Sequence, residues 1–169
     1  MTLIRRSLPL VLLFSLAGPA VAGSPIKTPP KKSKIAVYDQ VTLDQLVALF
    51  DRRGIETEVL AQAGRHTAVK FTLSGLNVLL VMADEGSKTT SDGYLYAAFQ
   101  LGSPVDVNLV NAWNLEARWT RAYVDGDGDA VLESDIRWAG GITEANFNLF
   151  IDSYAQSLSG FTQHIGFNN

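Results

Sequence analysis

Leu43, Leu46, Val47 and Phe50 recur at the spacing of one helix face, with polar Asp44, Gln45 and Asp51 around them. That pattern predicts an amphipathic helix. Thr42-Leu43-Asp44-Gln45 marks its start as a capping box, in which the Thr42 hydroxyl accepts from the Gln45 amide and Gln45 reaches back. Arg52 and Arg53 suit the negative helix end, and Gly54 suits a left-handed cap. The period then changes to two. Val69, Phe71 and Leu73 alternate with Ala68, Lys70 and Thr72, as in a half-buried strand, with a weaker strand over Glu56 to Ala61 ahead of it. Ser74-Gly75 reads as a turn, and the apolar run Leu76 to Met82 as a central strand. A polar hairpin loop is expected from Asp84 to Gly93, then a strand from Tyr94 to Leu101 with Tyr94, Tyr96 and Ala98 on one side.

Pro104 and Asp106 introduce a short helix, Val107 to Asn114, carrying Val110 and Trp113. Arg118 to Val124 and Val131 to Trp138 then form a hairpin around Asp125-Gly126-Asp127-Gly128-Asp129. On its second arm Leu132, Ile136 and Trp138 face inward, and Glu133, Asp135 and Arg137 face outward. Gly140-Gly141 ends the sheet, and Thr143 caps a long helix with apolar positions Phe147, Phe150, Ile151, Tyr154, Leu158 and Phe161. The strand-to-strand links are short, so the pairs are hairpins. The expected class is α+β: a largely antiparallel sheet with helices packed on one face, in the order α-β-β-β(-β)-α-β-β-α.

The N-terminus changes the picture. Arg5 and Arg6, the apolar stretch Leu8 to Leu16, and Ala20-Val21-Ala22 match a secretory signal peptide over residues 1–22. The apolar stretch falls short of the roughly 20 residues a spanning helix needs. Cleavage after Ala22 would make the protein periplasmic or secreted, with no transmembrane segment left. The arginine pair raises the twin-arginine export route, but the residues after it fit the general route better. Residues 23–34 hold Lys27, Lys31, Lys32, Lys34, Pro25, Pro29 and Pro30, which reads as a linker. The domain proper is expected over 35–169. All 17 acidic residues lie in it, and such an acidic domain argues against nucleic acid as a partner. The chain has no cysteine, so thiolate chemistry, disulfides and cysteine zinc sites are excluded.

From Val107 to Phe161 the chain resembles the YbjN family, whose members are labelled bacterial sensory transduction regulators. The residues that carry the resemblance are Asn111-Ala112-Trp113-Asn114, Arg118-Trp119-Thr120-Arg121-Ala122-Tyr123, Asp129 with Val131-Leu132-Glu133, and Gly140-Gly141-Ile142-Thr143 before a long helix. The resemblance implies a fold similar to type III secretion chaperones, which are small dimers that hold partner polypeptides. It implies no catalytic residues. The secretory signal departs from the many family members that look cytoplasmic.

The candidate binding residues are Trp113, Asn114, Arg118, Trp119, Arg121 and Tyr123. Trp113 is either a ligand platform or a core anchor, and Asn114 either a hydrogen-bond partner or a helix cap. Arg118 and Arg121, three apart in a strand, point to opposite faces; Arg121 either binds an anion or pairs across strands with Glu133 and Asp135. If Thr120, Ala122 and Val124 face the helices, Trp119 and Tyr123 lie on the open face of the sheet, where exposed aromatics mark a partner or dimer surface; the alternative assignment puts both rings in the core. The Asp125–Asp129 loop begins like a calcium loop, but Ala130 stands where glycine is needed and Ile136 where a bidentate glutamate is needed. A hairpin turn is the competing reading. His66 and His164 stand apart in sequence, at a strand start and near the C-terminus. The chain has no phosphate-cradling loop, nucleophile elbow or His-Glu-x-x-His motif. No catalytic residue, cofactor or metal is assigned. The expected function is an exported, non-enzymatic binding module for a protein or peptide, with a homodimer possible. A periplasmic sensor of small anions and a carboxylate-based envelope hydrolase are the alternatives.

Overall fold

The computed structural model describes residues 35–61, 66–83 and 88–167. The expected signal peptide (1–22) and linker (23–34) lie outside the described residues. In chain order the elements are β1 (Val37–Tyr38), β2 (Val41–Thr42), α1 (Leu43–Arg52), β3 (Thr57–Ala61), β4 (Thr67–Leu73), β5 (Leu76–Met82) and β6 (Thr89–Thr90). They continue with β7 (Asp92–Phe99), α2 (Val107–Glu116), β8 (Arg121–Val124), β9 (Ala130–Arg137), β10 (Ile142–Thr143) and α3 (Glu144–His164).

Six strands form one sheet in the order β3-β4-β5-β7-β9-β8, each neighbouring pair antiparallel. The expected α+β class and order of elements are found. The link between β4 and β5 is the two-residue turn Ser74-Gly75, with both residues at positive φ. Two successive left-handed residues give a turn whose twist matches the right-handed twist of the flanking strands, which suits a tight hairpin. Two ribbons were not foreseen. β1 pairs with β10, and β2 pairs with β6 inside what reads as a polar loop. Gly140-Gly141 therefore leads into another strand pair.

Side chains alternate across the sheet. Val69, Phe71, Val78, Leu80, Leu95, Ala97, Phe99, Ala130, Leu132 and Ile136 are buried on the helix side. α1 and α3 supply the other half of the core. Phe50 meets Phe71 at 4.5 Å and Phe147 at 5.4 Å between ring centroids. The Tyr154 hydroxyl donates to the Leu132 carbonyl at 2.9 Å, which fixes α3 over β9. Both helices start as their sequences dictate: Thr42 closes a capping box with Gln45, and the Thr143 hydroxyl accepts from the Asn146 amide.

Among the described residues, no helix packs on the opposite face of the sheet. Lys70, Leu79, Tyr96, Glu133 and Arg121 form one row across it, and Leu60, Ala68, Val81, Tyr94 and Asp135 form the next. On the helix side, β5 and β7 approach closely at Gly93. A Cβ on Gly93 would stand 2.5 Å from the Val81 carbonyl oxygen, so only glycine fits that position.

Candidate functional site

The stretch from Trp113 to Tyr123 ends α2, turns, and enters the edge strand β8. Five of its residues, Trp113, Asn114, Trp119, Arg121 and Tyr123, have distinct settings. The Trp113 ring packs on Phe161 at 5.2 Å and His164 at 5.7 Å, and its indole N–H donates to Thr120 Oγ1 at 3.3 Å. Gly160 in α3 leaves room for it; a Cβ there would lie 3.3 Å from the ring. Of its two sequence readings, Trp113 takes the core anchor. His164, read only as lying near the C-terminus, closes α3, with Nε2 2.8 Å from the Leu109 carbonyl oxygen.

Asn114 is not a helix cap. Its Nδ2 donates to the Ala122 carbonyl at 2.8 Å, and its Oδ1 accepts from the Ala122 N–H at 2.8 Å. A carboxamide has one donor face and one acceptor face, like a peptide group. Asn114 thus plays the part of a neighbouring strand on the outer edge of β8.

Trp119 corrects the sequence reading most. β8 begins only at Arg121, so Arg118 to Thr120 do not alternate as a strand. Trp119 sits at φ 71° and is 79% exposed. A left-handed conformation costs a bulky L-residue about 1–2 kcal/mol. The Ser134 hydroxyl, reaching from β9, donates to the Trp119 carbonyl at 2.5 Å and holds the turn in place. The ring therefore leaves the open sheet face and stands beside α3. With Leu149, Phe150, Asn146, Ser153, Ser134 and Asp135 it lines a crevice of about 270 Å³. Leu149 is 66% exposed, so helix and turn together present an uncovered apolar ridge. Neither Leu149 nor Phe150 was read as a site residue: Phe150 belongs to the helical stripe read as core, and Leu149 stands off that stripe as a single apolar position.

Arg121 and Tyr123 do lie on the open face. Arg121 Nε and Nη2 donate to Glu133 Oε2 at 2.9 and 2.5 Å, and Nη1 donates to Asp135 Oδ2 at 2.7 Å. The Tyr123 hydroxyl donates to Glu133 Oε1 at 2.7 Å. Glu133, expected to face solvent, is buried beneath these partners. Its hydrogen bond is the main reason the Arg121 guanidinium is raised above its usual range. Burial first, and then the Glu133 carboxylate, push the Tyr123 phenol well above the ordinary tyrosine range. Burial likewise raises Tyr94 and Tyr96. Cross-strand pairing is thus the reading of Arg121 that the geometry supports. Arg118 is exposed.

The Asp125–Asp129 loop is built as a hairpin turn. Asp125 Oδ1 accepts from the N–H groups of Asp127 and Asp129, each at 3.0 Å. Among the described residues no group of three or more acidic, histidine or cysteine side chains is placed to hold a metal ion. No described helix is long and apolar enough to cross a membrane.

The family model YbjN, described as Putative bacterial sensory transduction regulator, matches residues 42–167. The chain belongs to the YbjN family. The matched span runs from the N-cap of α1 past the end of α3, so it takes in the whole six-stranded sheet. No curated protein matches the chain. In this YbjN domain the family-like residues Trp113, Asn114, Arg121 and Glu133 are the ones that lock α2, β8 and β9 together. Trp119 lies in the same stretch, and its ring is turned outward.

Proposed function

We propose that this YbjN domain is an exported, non-enzymatic binding module that holds a protein or peptide partner. The observation that carries the reading is Trp119, a large aromatic kept at positive φ with its ring in solvent next to Leu149 and Phe150. A strained residue persists where its surroundings over-determine it, and such residues cluster at ligand-binding positions. Tryptophan is among the residues that most often anchor a protein interface. The crevice is open and apolar, with Ser153, Asn146 and Asp135 at its rim for main-chain contacts. An anion-sensing role for Arg121 is less well supported, because two carboxylates already hold it.

The experiment places a photo-crosslinking residue at Leu149 and, separately, at Thr72 on the opposite face, in the full chain expressed with its N-terminus intact. One defined adduct from position 149 and none from position 72 supports the reading. Equal or absent adducts from both positions would contradict it. N-terminal sequencing of the same preparation tests export: a chain starting at Gly23 is expected, and one starting at Met1 would contradict cleavage.

A further inference from the structure

The two edges of the sheet are finished differently. β8 has its outward backbone pair at Ala122 taken by the Asn114 carboxamide. β3, at the other edge, has no such plug. Among the described residues its only backbone hydrogen bonds run to β4. Of the devices that blunt edge strands, proline, lysine and a bulge are missing too. β3 reads Thr57-Glu58-Val59-Leu60-Ala61, with no proline and no lysine. Its register with β4 runs unbroken from Thr57↔Phe71 to Ala61↔Thr67, so no bulge bends it away. Val59 projects on the helix side and is 44% exposed. The strand's one charge, Glu58, is bound by Lys70 at 3.1 Å.

We propose that β3 pairs antiparallel with β3 of a second copy of this chain, about a two-fold axis at Val59. The pairing joins the two sheets into one continuous sheet with both helix layers on the same side. Charge selects the register. An axis at Val59 sets Val59 against its counterpart on the helix side and Glu58 against Leu60 on the open side. An axis at Glu58 would set two carboxylates directly opposite each other, which destabilises a strand pair. A second copy fits better than a foreign strand because the segment is self-complementary about Val59: Thr57 meets Ala61, and each Glu58 brings its own Lys70. On the open face the Leu60, Ala68, Val81, Tyr94 row of one copy then continues into the Glu58, Lys70, Leu79, Tyr96 row of the other. The pairing is independent of the Trp119 crevice.

The chain has no cysteine, so a single introduced one reports position cleanly. Val59→Cys is compared with Leu115→Cys, which lies on exposed α2 at the opposite edge. Under a mild oxidant we expect covalent dimer from Val59→Cys at least about tenfold faster, the signature of a pre-assembled pair. Sedimentation of the parent at about 100 µM, where micromolar pairing saturates, should give a dimer, and Val59→Lys a folded monomer. A monomeric parent, or equal cross-linking rates for the two cysteines, would overturn the proposal. A monomeric parent that binds an extended peptide along β3 would overturn it as well. The cysteine pair decides the matter even if Val59→Lys fails to fold.

Discussion

Asn114→Ala tests the edge plug. The substitution removes two 2.8 Å hydrogen bonds to the Ala122 backbone, and Ala122 is only 6% exposed. Each such bond contributes about 1 kcal/mol net, and a buried N–H or C=O left without a partner costs about 1–3 kcal/mol. Asn114 itself is exposed, so water reaches part of the vacated site and the lower end applies. Alanine also suits α2 better than asparagine by about 0.5 kcal/mol. The expected net loss is about 1.5–2 kcal/mol, or a melting temperature lower by about 5 °C in a domain of this size. Urea unfolding at neutral pH measures it. Asn111→Ala, on an exposed position of the same helix, carries the helix gain alone and should lose nothing. Asn114→Asp keeps the acceptor for the Ala122 N–H but turns a carboxylate toward the Ala122 carbonyl. It should lose at least as much as alanine at neutral pH. Its deficit relative to the parent should shrink near pH 3, where a protonated carboxyl, with its ordinary pKa of about 3.9, can donate again. A loss below about 0.5 kcal/mol for Asn114→Ala, or equal behaviour of aspartate and asparagine, would refute the plug.

Other outcomes follow from the same contacts. Gly93→Ala should cost about 3 kcal/mol or more in a thermal melt, because its Cβ meets the Val81 backbone at 2.5 Å and neither strand can retreat. Arg121→Ala takes both guanidinium hydrogen bonds from Glu133, whose side chain is 8% exposed with the arginine in place, and leaves it the Tyr123 hydroxyl; with the arginine itself half-exposed the expected loss is about 1–2 kcal/mol, and Arg121→Ala combined with Glu133→Gln should recover part of it. Tyr94, Tyr96, Tyr123 and Tyr154 all keep their protons to higher pH folded than unfolded. Stability from them is therefore complete below the ordinary tyrosine range and declines as pH climbs above about 10, which melts across that range will show as a falling transition temperature. Millimolar calcium should leave the melt unchanged, because the Asp125 carboxylate is already committed to the Asp127 and Asp129 amides; a rise in transition temperature would restore the metal reading.

The fold was legible where the chain repeats a period over several residues. Leu76 to Met82, the alternation from Val69 to Leu73, and the stripe from Phe147 to Phe161 each carry enough positions to define an element. The ribbons of β1 with β10 and β2 with β6 are two residues a side, too short to leave a period. The candidate site was half legible. Arg121, Glu133 and Asp135 sit at strand positions whose spacing predicts a cross-strand pair, and they form one. The burial of Glu133 was not visible, because it depends on Tyr123 and Arg121 folding over it from the next strand. Asn114 at the end of a helix looks like a cap, and only tertiary structure brings Ala122 to it. Trp119 was misplaced for a local reason. Glycine or asparagine at positive φ announces a turn, whereas a tryptophan there reads as a β-former and extends the strand on paper.

The central claim is that the Trp119 ridge binds a polypeptide, and Trp119→Gly tests it most directly. Glycine occupies φ 71° without strain, and an exposed ring gives up little burial. Partner capture by the tagged full chain is measured for the parent, Trp119→Gly and Leu149→Ser, with urea unfolding of each alongside. The account predicts a Trp119→Gly domain as stable as the parent, or up to about 1 kcal/mol more stable, that no longer retains the partner the parent retains. Unchanged capture by Trp119→Gly and Leu149→Ser, or a Trp119→Gly domain about 2 kcal/mol less stable than the parent, would contradict it.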